Sequence, residues 1–199
     1  MRIGLRFDNS SANPFFLMSD LSDLKNIIMM KTFSFCPVCG SRRFEPSSEK
    51  SRRCEECGFE YFLNPSSAYV AFITDDQGRL LVERRGREPA LGTLDLPGGF
   101  ADAGETAEEG VAREVFEETG LVVTLAQYLF SIPNTYLYSG MVIPTLDMFF
   151  RCEVDDITAL MAADDAAECL WIAPEDLHTE EFGLNSIRKG VEKFKMIVD

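Results

Sequence analysis

Residues 94–121 read LDLPGGFADAGETAEEGVAREVFEETGL: a short apolar strand, a glycine loop, then a helix marked at both ends. Thr106 followed three residues later by Glu109 is a capping box. Gly120 stands where a helix ends on a left-handed residue. At roughly 100° per residue, Glu114, Glu117 and Glu118 share one arc of this helix. Val111, Ala112, Val115 and Phe116 form the adjoining arc, which is expected to pack on the body of the protein. Three carboxylates at i, i+3 and i+4 repel one another. Arg113 is the one cation nearby and lies beside the arc, so the acidic face lacks a matching counter-charge. A hard divalent cation such as Mg²⁺, which prefers oxygen ligands, would supply it. A solvated acidic face is the alternative, and the helix alone does not separate the two.

The wider pattern does. Gly99, five residues, Glu105, seven residues, then Arg113-Glu114-Val115-Phe116-Glu117-Glu118-Thr119-Gly120-Leu121 resembles the Nudix box at every constrained position. At average residue usage a chance match in a chain this long is on the order of one in ten million. The flanking order agrees with that family. Ala68–Ile73 is a strand, Asp75–Gly78 a turn and Leu80–Val82 a second strand entering Arg84-Arg85-Gly86-Arg87. An acid precedes Trp171 downstream. The resemblance covers residues 67–199 and implies an α/β fold, an α/β/α sandwich around a mixed sheet.

It also implies a reaction: hydrolysis of a nucleoside diphosphate linked to another moiety. By the resemblance Glu114, Glu117 and Glu118 are the Mg²⁺ or Mn²⁺ ligands, joined by the Gly98 carbonyl. Glu105 lies near the metals and the substrate, and Arg113 orients a glutamate through a bidentate pair. The general base in this family is a box glutamate or a later acid. In Asp164-Asp165-Ala166-Ala167-Glu168-Cys169-Leu170-Trp171 the candidate is Glu168. Arg84, Arg85 and Arg87, on the turn before the glycine loop, are candidate phosphate contacts, with plain surface arginines as the alternative. The other class is a Nudix-fold module that senses a nucleotide without cleaving it. Such modules usually lose a metal carboxylate, and this chain keeps all three.

Ahead of this domain, Cys36-Pro37-Val38-Cys39-Gly40 and Cys54-Glu55-Glu56-Cys57-Gly58 form two CxxC knuckles. Two residues between thiolates let both sulfurs face one centre, and the glycine permits the tight reversal. Together they offer a tetrahedral four-cysteine site for structural Zn²⁺, so residues 31–66 read as a zinc ribbon. A disulfide pair is disfavoured where thiols stay reduced. Arg42, Arg43, Lys50, Arg52 and Arg53 lie between the knuckles, either as a solvated hairpin or as a cationic arm for a phosphate-bearing partner.

Composition narrows the field further. The 199 residues carry 19 Lys and Arg against 33 Asp and Glu, for a net charge of −14. Residues 1–88 carry 13 cations against 12 acids, and residues 89–199 carry 6 against 21. That acidic body argues against nucleic acid as the partner, and so weakens a third reading, removal of an RNA 5′ cap. A small-molecule nucleotide is expected, with a second copy of the chain as the other candidate partner. One histidine, His178, excludes sites that need two. No apolar run approaches the roughly 18 residues of a membrane span. Residues 1–30 read as a flexible tail without an export signal, with Met30 a candidate start, and the expected compartment is the cytoplasm.

A zinc ribbon ahead of a Nudix domain is the layout of the NADH pyrophosphatase group. That group carries Ser-Gln-Pro-Trp-Pro-Phe-Pro-x-Ser after the box. At the same offset this chain reads Ser131-Ile132-Pro133-Asn134-Thr135-Tyr136-Leu137-Tyr138-Ser139. Ser131, Pro133 and Ser139 match and Tyr136 replaces Phe, whereas the Gln, the Trp and two prolines are gone. The resemblance implies a dinucleotide or a nucleotide sugar as substrate, with Tyr136 near the nucleoside.

Overall fold

The computed structural model describes residues 33–138, 141–161 and 166–198. The expected tail over residues 1–30, the Met30 start and the acids Asp164 and Asp165 lie outside the described residues. The chain divides between Leu63 and Asn64 into two units.

In the first unit two tight turns present the CxxC pairs. The Gly40 N–H donates to the Cys36 carbonyl at 2.9 Å, and the Gly58 N–H to the Cys54 carbonyl at 3.0 Å. Gly40 and Gly58 take φ of 73° and 75°, where a side chain would be strained. Strands β1 (Phe44–Ser48), β2 (Ser51–Cys54) and β3 (Glu60–Phe62) form an antiparallel sheet in the order β1-β2-β3. Phe44 pairs with Cys54 across β1 and β2. Among the described residues of this unit the buried apolar ones are Phe44, Cys36 and Cys54, a core too small to hold these strands by itself.

The second unit contains β4 (Ser66–Ile73), β5 (Leu80–Arg85), β6 (Leu94–Asp95), α1 (Ala107–Thr119), β7 (Val123–Tyr138), β8 (Met141–Val154), β9 (Ala166–Ile172) and α2 (Asn185–Val198). The strands form two three-stranded sheets, β4-β8-β7 and β6-β5-β9. The first is mixed, since β4 runs parallel to β8 and β7 antiparallel to it. The sequence implied one mixed sheet. The division arises at β4, whose second edge is taken by the glycine loop. The Tyr69 N–H donates to the Gly99 carbonyl and the Ala71 N–H to the Pro97 carbonyl, both at 2.8 Å. Pro97 has no N–H to return, so the pairing cannot continue as a ladder.

Period-two alternation sends each strand's side chains into two cores. Val70, Phe72, Leu80 and Val82 face α2 through Ile187, Val191 and Phe194. Tyr69, Ala71, Ile73 and Leu81 face α1 through Val111 and Val115. Phe72 stacks on Phe194 with centroids 4.0 Å apart. Burying each such side chain stabilises the fold by roughly 1.5–3 kcal/mol. The result is the helix–sheet–helix layering expected, with the glycine loop pressed between β4 and α1.

Candidate active site

Helix α1 begins as its capping box dictates. The Glu109 N–H donates to the Thr106 hydroxyl at 3.2 Å, and the Thr106 N–H to the Glu109 carboxylate at 2.8 Å. Its buried residues are Gly110, Val111, Val115, Glu118 and Thr119. Glu118 therefore sits inside the packing stripe, 8% exposed, rather than on a solvent face. Phe116, expected on the packed arc, is 57% exposed, because it points roughly away from Val111 and Glu118 on the helix wheel.

Arg113 corrects the expectation of a missing counter-charge. Its Nε and Nη2 each donate to Glu105 at 3.0 Å, a bidentate pair. Its Nη1 donates to Glu114 at 2.8 Å and to Glu117 at 3.0 Å. Glu114 and Glu117 are thus tethered, while Glu118 accepts from the Gly98 N–H at 2.8 Å. The Arg113 hydrogen bonds hold the Glu105 carboxyl below the ordinary carboxylate range. Burial raises Glu118, and the charge of Glu83 raises it further.

The loop reaches Glu118 because it carries two glycines. A Cβ on Gly98 would collide with the Tyr69 carbonyl oxygen and sit 3.0 Å from Val70 Cα. A Cβ on Gly99 would sit 2.5 Å from Glu114 Cδ. Across from the helix, Glu83 projects from β5 at 4% exposure, opposite Asp95 in the β5–β6 register. Burial raises the Glu83 carboxyl, with the Asp95 charge next. Arg85 pairs with Asp95 and donates to the Pro89 carbonyl at 2.7 Å.

These residues line a cleft of about 270 Å³. Glu83, Glu114, Glu118, Gly98 and Gly99 are part of its lining. So are Phe100 and Tyr136, edge to face with centroids 5.5 Å apart, and a polar trio. In that trio Asp147, 5% exposed, accepts from Asn134 Nδ2 at 3.0 Å and from the Thr145 hydroxyl at 2.6 Å. An aromatic wall beside a buried carboxylate suits the face and the donor groups of a nucleoside.

Glu105, Arg113 and Glu117, joined by the Arg113 ion pairs, do not line the cleft. Neither do Arg84 and Glu168. They face each other in the β5–β9 register, with Arg84 Nε 3.3 Å from Glu168 Oε2, and Arg84 Nη1 donates to the Gly92 carbonyl at 3.0 Å. Side chains alternate along β5, so Glu83 and Arg85 enter the cleft and Arg84 turns away. Arg85 and Arg87, the other two arginines of that turn, line the cleft, as do Glu83, Asp95, Phe100, Asn134, Thr145 and Asp147, which the sequence reading did not select. For Glu83 a signal existed: a charge that directly follows the apolar run Leu80-Leu81-Val82.

In the first unit the four cysteines converge. Cys36 Sγ lies 3.6 Å from Cys57 Sγ, and Cys39 Sγ 3.6 Å from Cys54 Sγ. A disulfide needs about 2.05 Å. Four bonds of about 2.3 Å to a tetrahedral zinc imply sulfurs about 3.8 Å apart, which these thiols fit. The Cys57 N–H, then that of Glu56, pull the Cys54 thiol down to about 7 against its burial. Among the described residues this is the one group of three or more His, Cys, Asp or Glu side chains whose donor atoms all lie within 4.8 Å of one another. The cleft glutamates form no such group; their oxygen donors are of the kind a hard divalent cation takes.

A family model described as the NUDIX domain matches residues 64–194. The chain is similar to the NAD-capped RNA hydrolase NudC of Vibrio cholerae, with 32% identity over 149 residues, 75% of this chain and 52% of that protein. It is 34% identical over 114 residues to the NAD-capped RNA hydrolase NudC of Haemophilus influenzae, 57% of this chain and 43% of that protein. The chain spans about half the length of the curated relatives it matches. Among solved structures, a NUDIX hydrolase from Nitrosomonas europaea shares the fold with a TM-score of 0.67 at 20% identity, over 82% of this chain and 91% of that one.

Proposed function

The chain belongs to the NUDIX domain family, and from that premise we propose that it hydrolyses the pyrophosphate bond of a nucleoside diphosphate linked to another moiety. The substrate is a dinucleotide of the NADH type or a nucleotide sugar such as ADP-ribose. One observation carries this reading. A single cleft is lined by buried carboxylates, the glycine loop and an aromatic, hydrogen-bonding wall, which suits a diphosphate together with its nucleoside.

Glu114, Glu117, Glu118 and the Gly98 carbonyl are the residues that would hold Mg²⁺ or Mn²⁺. Bound there, the cations would neutralise the diphosphate and acidify an attacking water. Arg113 keeps Glu114 and Glu117 aimed, and its bidentate pair with Glu105 fixes its own position. Tyr136 and Phe100 receive the nucleoside, while Asp147 accepts hydrogen bonds from it. Of the three arginines the sequence suggested for the phosphates, Arg85, anchored by Asp95, takes that role in the cleft rather than Arg84. Cys36, Cys39, Cys54 and Cys57 would hold a structural Zn²⁺, which requires reduced thiols and so points to the cytoplasm. No described helix is long and apolar enough to cross a membrane.

The names of the relatives favour a second substrate, the NAD cap of an RNA. The basic arm of the first unit gives it modest support, because Arg43 pairs with Glu55 and Glu56 and Arg52 donates to the Phe44 carbonyl at 2.9 Å. A turnover panel of NADH, ADP-ribose, NAD-capped RNA and nucleoside triphosphates with Mg²⁺ tests the reading. Cleavage of the first two at the pyrophosphate is expected, and NAD-capped RNA as the far better substrate would establish the second reading. Exclusive turnover of triphosphates, or full turnover in EDTA, would overturn the proposal.

A further inference from the structure

Glu83 belongs to no part of the box, and its surroundings are those of a hydrophobic strand residue. Leu81 and Val82 before it are fully buried, and Glu83 is 4% exposed. Its Oε1 is buried without any hydrogen-bond partner. Its carboxyl meets that of Glu118, which is anchored from the other side by the Gly98 N–H. The neighbouring guanidinium groups are engaged elsewhere: Arg85 on Asp95 and the Pro89 carbonyl, Arg113 on Glu105, Glu114 and Glu117. A buried carboxylate oxygen is costly unless a charge or donor meets it. It lines the same cleft as Glu114, Glu118 and the glycine loop.

We propose that Glu83 is an additional oxygen ligand for the divalent cations of this cleft, supplied by the sheet opposite helix α1. The inference rests on the reading of Glu114 and Glu118 as cation ligands. It adds a donor from outside the box, so the cations would be gripped from two elements rather than from one helix. Glutamine at position 83 keeps the shape and removes the charge.

The test is Mn²⁺ binding without substrate, by electron paramagnetic resonance and calorimetry, on the full chain and on Glu83→Gln and Glu118→Gln. A loss of about tenfold or more in Mn²⁺ affinity, or of one bound ion, is expected for Glu83→Gln. The metal-free Glu83→Gln protein is expected to melt higher than wild type, with a smaller Mn²⁺-induced rise in Tm. If Glu118→Gln loses Mn²⁺ but Glu83→Gln binds it like wild type, Glu83 is a proton-sharing contact of Glu118 and the inference fails. If neither variant loses Mn²⁺, the parent reading of the cleft fails as well. Should Glu83→Gln not fold, anomalous scattering from Mn²⁺-soaked wild-type crystals decides: ions all beyond ligand distance of Glu83 refute the inference.

Discussion

Replacing Gly99 by alanine puts a methyl group 2.5 Å from Glu114 Cδ. Ordinary van der Waals contact begins near 3.4 Å, so the carboxylate must retreat by about 0.9 Å. It is the far end of a flexible side chain, so the retreat costs the fold little. It also pulls Glu114 away from the position at which Arg113 holds it, 2.8 Å from Nη1. A misplacement of about 1 Å at a reacting centre costs about 100-fold in rate, or about 2.7 kcal/mol of barrier. Gly99→Ala should therefore lose about two decades of kcat/KM on the best substrate while its Tm stays near wild type. Gly98→Ala is the contrasting case. Its methyl meets the backbone of β4 at Tyr69 and Val70, which cannot give, and its φ is 155°. That variant should lose more than about 1 kcal/mol of stability. The assay pairs steady-state kinetics with thermal unfolding for both proteins. Wild-type activity in Gly99→Ala, or an activity loss matched by unfolding, would refute the placement of Glu114 against the loop.

Four further outcomes follow from the geometry. Glu168→Gln should leave kcat close to wild type, since the side chain is 52% exposed against Arg84; a large loss would return Glu168 to the site. Asp147→Asn should raise KM by about 10- to 100-fold with kcat little changed, the effect of one charged hydrogen bond, as read from initial rates. Metal removal by a strong chelator, or Cys39→Ser, should melt the first unit, seen as loss of dispersed amide signals from residues 33–63 by NMR. Glu105 has a lowered pKa. Its contribution to stability is present above the ordinary glutamate value of about 4.3 and is lost as pH falls through the lowered value. Calorimetric Tm values of wild type and Glu105→Gln should therefore converge on acidification, and a constant gap would contradict the Arg113 pairing.

What was legible in the sequence was local in the chain. The capping box at Thr106, the stop at Gly120 and the two glycine-ended cysteine knuckles each depend on residues within a few positions, and each appears in the structure. What was not legible depends on register between distant strands. Arg84 and Arg85 are equivalent as text. The β5–β9 register sets Arg84 against Glu168, 84 positions away, and the pleat sends Arg85 into the cleft. The same holds for Asp147, which joins the site only because β7 and β8 bring Asn134 beside it. The Nudix resemblance supplied the box residues, and outside the box it pointed to Glu168 rather than to Glu83 or Asp147.

The misjudged face of α1 has a mechanical meaning. Glu118 lies within the same buried stripe as Val111, Val115 and Thr119, so the surface that packs the helix is also the surface that presents the carboxylate. Burying Glu118 beside Glu83 opposes folding while both are ionised. Val111, Val115 and Leu81, all fully buried, act in the other direction at roughly 1.5–3 kcal/mol each. A cation that binds only the folded chain relieves the repulsion and stabilises in proportion to its occupancy. Packing around Glu118 and cation affinity are then coupled: Val115→Ala, which removes no carboxylate, should loosen the helix and weaken Mn²⁺ binding together. A variant that lost stability yet bound Mn²⁺ as wild type does would separate the two and break this link.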